Sequence, residues 1–237
     1  MFVKSHAFYD AIYAARGKNY PAEAAWLRAA IGRTLRGGSG SPRLLDVACG
    51  TGVHLSLLQN HFAVEGVDAD PDMIAIARGR LPNVPLYVER MQDLSVKEPY
   101  DVLFCLFESI GYVADVAELH ATLARFAAAV RPGGMVVVEP WVHPEEWEEG
   151  YLDWALVDQP KLKIAQMSVS ERYGNTGVIR FTYLVGEPGG VTSFGETHRL
   201  QLFTTDEYRA AFEAAGLETT LERTDIFSRG LYIGVKR

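Results

Sequence analysis

The chain has 237 residues, 48% of them hydrophobic and 22% charged, enough for a substantial core in one large domain or in a domain with an insertion. Its formal net charge of −7 argues against nucleic-acid partners, because such surfaces neutralise phosphates with excess Lys and Arg. No apolar run reaches the roughly 20 residues that span a bilayer, so no membrane partner is expected.

The opening MFVKSHAFYD lacks the apolar stretch and small-residue cleavage site of a secretory signal. Pro21 stands at the first position of a predicted helix, PAEAAWLRAAIGRTLR, and the breaker RGGSGSP (Arg36–Pro42) follows. RLLDVA (Arg43–Ala48) reads as a buried strand, followed by a glycine turn and the helix VHLSLLQN. AVEGVD (Ala63–Asp68) is the second strand, and Asp70 caps the next helix with Pro71 behind it. VPLYVE and YDVLFCLF are the third and fourth strands, VAELHATLARFAAAV is an amphipathic helix, and MVVVEP after RPGG is the fifth strand. This alternation implies a parallel sheet with right-handed crossovers. Cys49 and Cys105 fall in its strand-like stretches and read as reduced thiols of a cytoplasmic protein.

After Trp141 the pattern changes. KLKIAQMSVSER, GVIRFTYLV and VTSFGETHRLQLF alternate as antiparallel strands joined by YGNTG and EPGG. TTDEYRAAFEAAG restores a helix capped at Thr204 or Thr205 and ended by Gly216, and LETTLER and GLYIGVK close the domain. The predicted plan is an α/β, Rossmann-like seven-stranded sheet built from residues 1–140 and 204–237. An antiparallel β insertion over residues 141–203 follows strand five.

The strongest motif, Leu44-Leu45-Asp46-Val47-Ala48-Cys49-Gly50-Thr51-Gly52, sits at the first strand-to-helix junction, where parallel sheets bind ligands. Gly50 and Gly52 let the backbone approach a ligand closely, and the helix that follows presents free N–H groups. Position 55 is Leu, so the third glycine of a dinucleotide fingerprint is missing. This disfavours an NAD-linked oxidoreductase. Asp68 ends the second strand and can accept two hydrogen bonds from a ribose diol. After the third strand, Asp93 is placed to bond an adenine amine and Met91 to flank the ring.

These features resemble the class I S-adenosylmethionine-dependent methyltransferases, over about residues 43–140. Outside that core, Tyr9-Asp10…Tyr13, Arg16-Gly17-Lys18-Asn19-Tyr20, Val137–Trp141, His198–Phe203 and Ser228-Arg229-Gly230-Leu231 look like the N,N-dimethyltransferases of nucleotide-linked amino sugars in desosamine and mycaminose biosynthesis. The resemblance implies S-adenosyl-L-methionine as cofactor, double methylation of a dTDP-linked 3-amino deoxysugar, and a homodimer. It implies donor contacts from Tyr13, Arg16 and Tyr20, and from Asp46, Ala48, Cys49, Gly50 and Gly52. Asp68, Ala69, Met73, Met91, Gln92, Asp93 and Leu106 complete that donor set. It implies acceptor contacts from Glu108, Ser109, Tyr112, Glu139 and Trp141, and from Ser228 and Arg229. The chain departs from the group at Asn19, Asp68, Gln92 and Glu108, where the group commonly has Asp, Glu, Arg and Ser.

Methyl transfer from a sulfonium is an in-line displacement in which positioning dominates, and an amine must be neutral when it attacks. Candidate catalytic residues are Tyr13, Glu108, Tyr112 and His198, with His143 also a candidate acceptor contact. Tyr112 is a weak base, since a phenol has a pKa near 10, and would orient the acceptor. The imidazole of His198 has the most suitable intrinsic pKa. Arg16 and Lys18 are expected to close over the donor carboxylate, and Arg229 to pair with a diphosphate through its guanidinium fork. Tyr173, Tyr183 and Phe194 are candidates for stacking on a nucleobase. The run Glu145–Glu149 reads as a solvated face, and no His/Cys spacing suggests a metal. Two other readings remain open: methyl transfer to another small amine or hydroxyl, and a non-catalytic cofactor-binding regulator.

Overall fold

The computed structural model describes residues 4–35 and 41–237; the breaker at Arg36–Pro42 lies largely outside these described residues. Helix α1 (Tyr9–Ala15) is followed by α2 (Tyr20–Thr34), whose start is fixed by the Asn19 side chain accepting the Ala22 N–H at 3.1 Å. Strand β1 (Arg43–Val47) leads through the glycine turn into α3 (Val53–Leu58) and β2 (Ala63–Asp68). The Asp70 carboxylate then accepts the N–H groups of Asp72 and Met73 and starts α4 (Pro71–Arg80). Next come β3 (Leu86–Val88), β4 (Tyr100–Cys105), α5 (Val116–Ala129) and β5 (Val130–Val138).

Strand β5 starts five residues before the expected Met135, directly at the end of α5. Arg131–Gly134 are taken up where the β4–β5 register shifts between Tyr100 and Val102, so the glycines form a bulge in the strand and not a loop before it.

The chain continues through β6 (Leu152–Gln159), β7 (Leu162–Tyr173), β8 (Thr176–Glu187) and β9 (Gly190–Gln201). Thr204 and Glu207 form a reciprocal capping box for α6 (Thr205–Ala214), and β10 (Leu217–Glu222) and β11 (Leu231–Lys236) finish the chain. Strand β6 was not legible in the sequence, because it is apolar on both faces: Ala155 and Val157 are buried, while Leu152, Trp154 and Leu156 are exposed. Alternation, the signal for a half-buried strand, is therefore erased.

Seven strands form one sheet in the order β10-β11-β5-β4-β1-β2-β3, parallel except for β11, which runs antiparallel to both of its neighbours. Helices cover both faces, as a parallel sheet requires. Phe126 of α5 and Phe212 of α6 pack on one side; Leu27, Leu55 and Ile74 of α2, α3 and α4 pack on the other. Strands β6–β9 form a separate antiparallel sheet. Its inner face packs on Ile12 of α1 through Ala155, Val157, Ile164 and Val185. That packing holds α1 between the second sheet and the strand tips of the first.

Candidate active site

The loops after β1 and β4 carry the only described non-glycine residues with positive φ: Ala48 (61°), Phe107 (52°) and Glu108 (64°). Such conformations cost about 1–3 kcal/mol each and persist where the surroundings over-determine them, often at functional sites. Gly52 has φ of 75°, and a Cβ there would lie 3.0 Å from Leu81 Cδ1 and 3.2 Å from Ala77 Cβ. Its glycine thus lets α3 begin tight against α4. Asp68 accepts the N–H of Gly50 at 2.7 Å and that of Asp70 at 2.9 Å, which locks the glycine turn to the tip of β2.

A cavity of about 380 Å³ opens beside this turn. Of the expected donor contacts, Ala48, Gly50, Asp68, Ala69, Met73, Met91 and Gln92 line it, joined by Tyr9. A smaller recess of about 40 Å³ shares Tyr9, Ala48 and Gly50 with it and is walled by Asp46, Cys49, Tyr20 and Leu106. The Asp46 carboxylate is 2% exposed and its Oδ2 has no hydrogen-bond partner. Burial, and then the neighbouring Asp68, push its carboxyl well above the usual range. A buried unpaired carboxyl calls for a cationic or donor partner. An adenosyl sulfonium with an amino-acid tail supplies what these walls lack: a diol for Asp68, a flat ring for the Met73 and Met91 side, and an ammonium toward Asp46. The residues fit that group.

A second cavity, of about 270 Å³, shares Tyr9, Ser109 and Tyr112 with the first and is floored by the antiparallel sheet. Here the structure brings together Tyr13, Glu108, Trp141, His198 and Arg229. Glu108 and Arg229 form a close ion pair, and the Arg229 guanidinium lies 5.0 Å from the Trp141 ring centre. Burial pulls the Arg229 pKa below its ordinary value. The Tyr112 hydroxyl is 2.5 Å from His198 Nδ1. Burial raises both the Tyr13 and Tyr112 phenols, which suits hydrogen bonding and not proton abstraction. Tyr13 packs edge-on against Phe107 at 4.6 Å.

Several expected contacts lie elsewhere. Arg16 does not face the donor cavity: it donates to Asp153 and Gln166, each at 2.6 Å, on the floor of the second one. Lys18 pairs with Glu23 at 2.7 Å and lies 4.0 Å from the Phe107 ring centre. Asp93 is exposed beside Arg90, 3.8 Å away, because the 3₁₀ turn at Met91–Asp93 points only Met91 and Gln92 into the cavity. Gly52, at the N-cap of α3, lines neither the donor cavity nor the recess beside it. Glu139 is buried behind the loop and accepts the Phe107 N–H at 2.7 Å; burial raises its carboxyl to about 7. His143 faces the Phe203 carbonyl at 2.8 Å and packs on Tyr208, and Ser228 is exposed. Tyr183 lines the second cavity with Phe194 stacked behind it at 4.7 Å, whereas Tyr173 is exposed and donates to Glu171. Glu145, Glu146, Glu148 and Glu149 are exposed.

Sequence reasoning missed Tyr9, Phe107, Gln166 and Glu196. Tyr9 and Tyr13 are four residues apart on one helix, a spacing that puts them on one face. Gln166 shares the inward phase of β7 with Ile164, Ser168 and Ser170, and Glu196 and His198 share that of β9 with Phe194 and Leu200. A polar residue in a buried phase was the signal available for them.

A parallel sheet with one reversed strand, a glycine turn between β1 and α3, and carboxylates at the tips of β1 and β2 define an S-adenosylmethionine-dependent methyltransferase. Residues 44–134 match the family described as "Methyltransferase domain". The chain is 42% identical to a dTDP-3-amino-3,6-dideoxy-alpha-D-glucopyranose N,N-dimethyltransferase of Streptomyces fradiae, over 96% of this chain and 89% of that one. It superposes on the crystal structure of Streptomyces venezuelae DesVI with a TM-score of 0.92, at 36% identity and full coverage of both chains. It superposes on S-adenosylmethionine-bound CalS10, an amino pentose methyltransferase of Micromonospora echinaspora, with a TM-score of 0.88, at 35% identity over 100% of this chain and 98% of that one. The chain belongs to the S-adenosylmethionine-dependent methyltransferases, in the group formed by these sugar N-methyltransferases, and its cofactor is S-adenosylmethionine.

Proposed function

We propose that this enzyme methylates the amino group of a dTDP-linked 3-amino deoxysugar twice, giving the dimethylamine. The observation that carries the reading is the meeting of the two cavities at Tyr9, Ser109 and Tyr112. A donor held by the glycine turn and an acceptor resting on the antiparallel sheet would react across these three side chains. Residues 141–203 then serve as the acceptor-binding insertion.

Ala48, Gly50, Asp68, Met73 and Met91 would hold the adenosyl end of the cofactor, and Asp46 its amino-acid end. When bound, S-adenosylmethionine supplies an electrophilic methyl group on a sulfonium. The chain's residues align the amine and exclude water. Tyr112, held by His198, orients the acceptor, and Tyr13 and Phe107 close the apolar wall beside it. Arg229 and Arg16 are the cations available to a diphosphate. Glu108 balances Arg229, so a diphosphate must share or displace that pair. This feature also keeps open a second reading, a small amine without a diphosphate.

The outer face of the antiparallel sheet exposes Leu152 (75%), Met167 (66%), Trp154 (63%) and Leu156 (57%), with Trp154 and Met167 paired across the β6–β7 ladder. Contiguous apolar surface of this kind marks an interaction site, and we assign it to a homodimer. Free buried Cys49 and Cys105 support a cytoplasmic setting. No helix among the described residues is long and apolar enough to cross a membrane.

The test is incubation with S-adenosylmethionine and a panel of dTDP-linked amino hexoses, amino pentoses and simple amines, read by mass spectrometry. Mono- and then dimethylated nucleotide sugar is the expected product. Turnover of simple amines alone would support the second reading and refute the first.

A further inference from the structure

A continuous polar chain runs under the acceptor cavity. Arg16 donates to Gln166 Oε1 at 2.6 Å and Gln166 Nε2 donates to the Tyr183 hydroxyl at 3.0 Å, which is hydrogen-bonded to the Ser5 side chain. The Ser5 hydroxyl donates to Glu196 Oε2 at 2.6 Å, and Oε1 accepts the N–H groups of Lys4 at 2.6 Å and Ser5 at 2.9 Å. Glu196 Oε2 lies 3.8 Å from His198 Nε2, and His198 Nδ1 faces the Tyr112 hydroxyl at 2.5 Å. Both the Glu196 and His198 side chains are almost fully buried, at 1% and 4% exposure.

Burial opposes a charge on Glu196, but His198 Nε2 at 3.8 Å, the Ser5 hydroxyl and the N–H groups of Lys4 and Ser5 together outweigh it and hold the carboxyl well below the usual range. An ionised carboxylate only accepts hydrogen bonds, so the histidine nitrogen facing it must be the one that carries hydrogen. In neutral His198 this leaves Nδ1 as a bare acceptor, and the group opposite it is the Tyr112 O–H. The Tyr112 hydrogen is thereby committed to His198, and the phenolic lone pairs remain for the cavity. Of the other carboxylates, Glu108 and Asp153 line the same cavity and are each paired with an arginine, and Asp68 lies in the donor cavity that Tyr112 also lines.

We propose that Glu196 is a positioning residue for the acceptor amine. By holding His198 in the Nε2–H tautomer it turns the Tyr112 hydroxyl into a hydrogen-bond acceptor, which takes an N–H of the amine and aims the nitrogen lone pair toward the donor cavity. The inference deepens the amine-methylation reading and rests on it. It also gives Glu196 a second task, because the N–H groups of Lys4 and Ser5 tie the segment preceding α1 to β9, and α1 carries Tyr9 and Tyr13 into the site.

Glu196→Gln separates the two tasks. The amide oxygen can still accept from Lys4 and Ser5, but an amide N–H now faces His198. His198 then takes the Nδ1–H tautomer, the Tyr112 hydrogen swings into the cavity, and it opposes the amine N–H. The variant should lose about tenfold or more in kcat, the scale of one misdirected hydrogen bond, with cofactor affinity by calorimetry and Tm held near wild type. Tyr112→Phe should lose a similar factor, and the double variant Glu196→Gln/Tyr112→Phe no more than Tyr112→Phe alone. Nitrogen-15 NMR of labelled histidines should show His198 protonated at Nε2 in the wild type and at Nδ1 in Glu196→Gln. A wild-type His198 carrying hydrogen at Nδ1 or at both nitrogens overturns the inference whatever the acceptor is. So does unchanged kcat in Glu196→Gln, or full additivity in the double variant. Wild-type protein that methylates no amine refutes the function itself, a different outcome from any of these.

Discussion

Glu139 offers the sharpest test of how the strained loop after β4 is held. Its carboxylate is 4% exposed and accepts the Phe107 N–H, which fixes the left-handed backbone of Phe107 and Glu108. Burial raises its pKa from 4.5 to about 7, against the opposing charge of Lys18. A carboxyl whose folded pKa lies above its unfolded one favours folding while it is protonated, fully so below about pH 4.5. That contribution is lost progressively as pH rises through about 7. At 1.36 kcal/mol per pH unit the interval corresponds to about 3 kcal/mol. Glu139→Gln keeps a carbonyl for the Phe107 N–H and removes the buried charge. It should therefore stabilise the protein at pH 8 by up to about 3 kcal/mol, roughly 6–12 °C in Tm for a chain of this size, and by much less at pH 5. Thermal unfolding of both proteins across pH 5 to 8 measures this. An equal effect at both ends, or a loss of stability at pH 8, refutes the assignment of a largely uncompensated buried carboxylate.

Asp68→Asn should weaken S-adenosylhomocysteine binding by about 30- to 1000-fold in calorimetry, because charge-assisted hydrogen bonds worth about 2–4 kcal/mol in total are lost. A change under about threefold would remove Asp68 from the donor site. Gly52→Ala forces a side chain into φ of 75° and against Leu81 and Ala77, and should lower Tm by several degrees; wild-type stability would contradict the close α3–α4 approach. Trp154→Lys should shift sedimentation from dimer to monomer with the fold intact. Glu108→Ser should release Arg229 and lower KM for a nucleotide sugar by a few-fold to about tenfold while leaving cofactor affinity unchanged; a raised KM would show that Glu108 contacts the acceptor directly.

The donor half of the site was legible because its signals are local. A strand, two glycines and an acid at the next strand tip are read from short windows, and the sheet carries them to one edge. Even there the reading overran: Asp93 follows Met91 and Gln92 at the end of a 3₁₀ turn and faces solvent. The acceptor half was less legible, since it is assembled from β7, β8 and β9 and from α1 with the segment before it, where Ser5 meets Glu196 across 191 residues of sequence. Alternation says that Gln166 and Glu196 share the inward phase, but not which cavity that face covers. Arg16 was misplaced for the same reason. Its partners, Asp153 and Gln166, belong to strands whose register no local pattern reveals, and one of those strands, β6, hid its own alternation.

The acceptor cavity holds opposite charges as pairs, Arg16 with Asp153 and Arg229 with Glu108, and the buried Glu196 carboxylate beside it is satisfied by the Ser5 hydroxyl and the N–H groups of Lys4 and Ser5. This balance bears on the chemistry. An amine beside an unpaired carboxylate is stabilised as ammonium, the form that has no lone pair to attack. Glu108, on the loop that meets both cavities, would have that effect if it stood alone. With Arg229 against it, its field on the amine is largely cancelled, and the neutral phenols of Tyr13 and Tyr112 add none. A substrate carrying an anionic diphosphate would draw on Arg229 from the other side and lessen the cancellation. The Glu108–Arg229 pair therefore couples recognition of the acceptor's anion to the protonation of its amine.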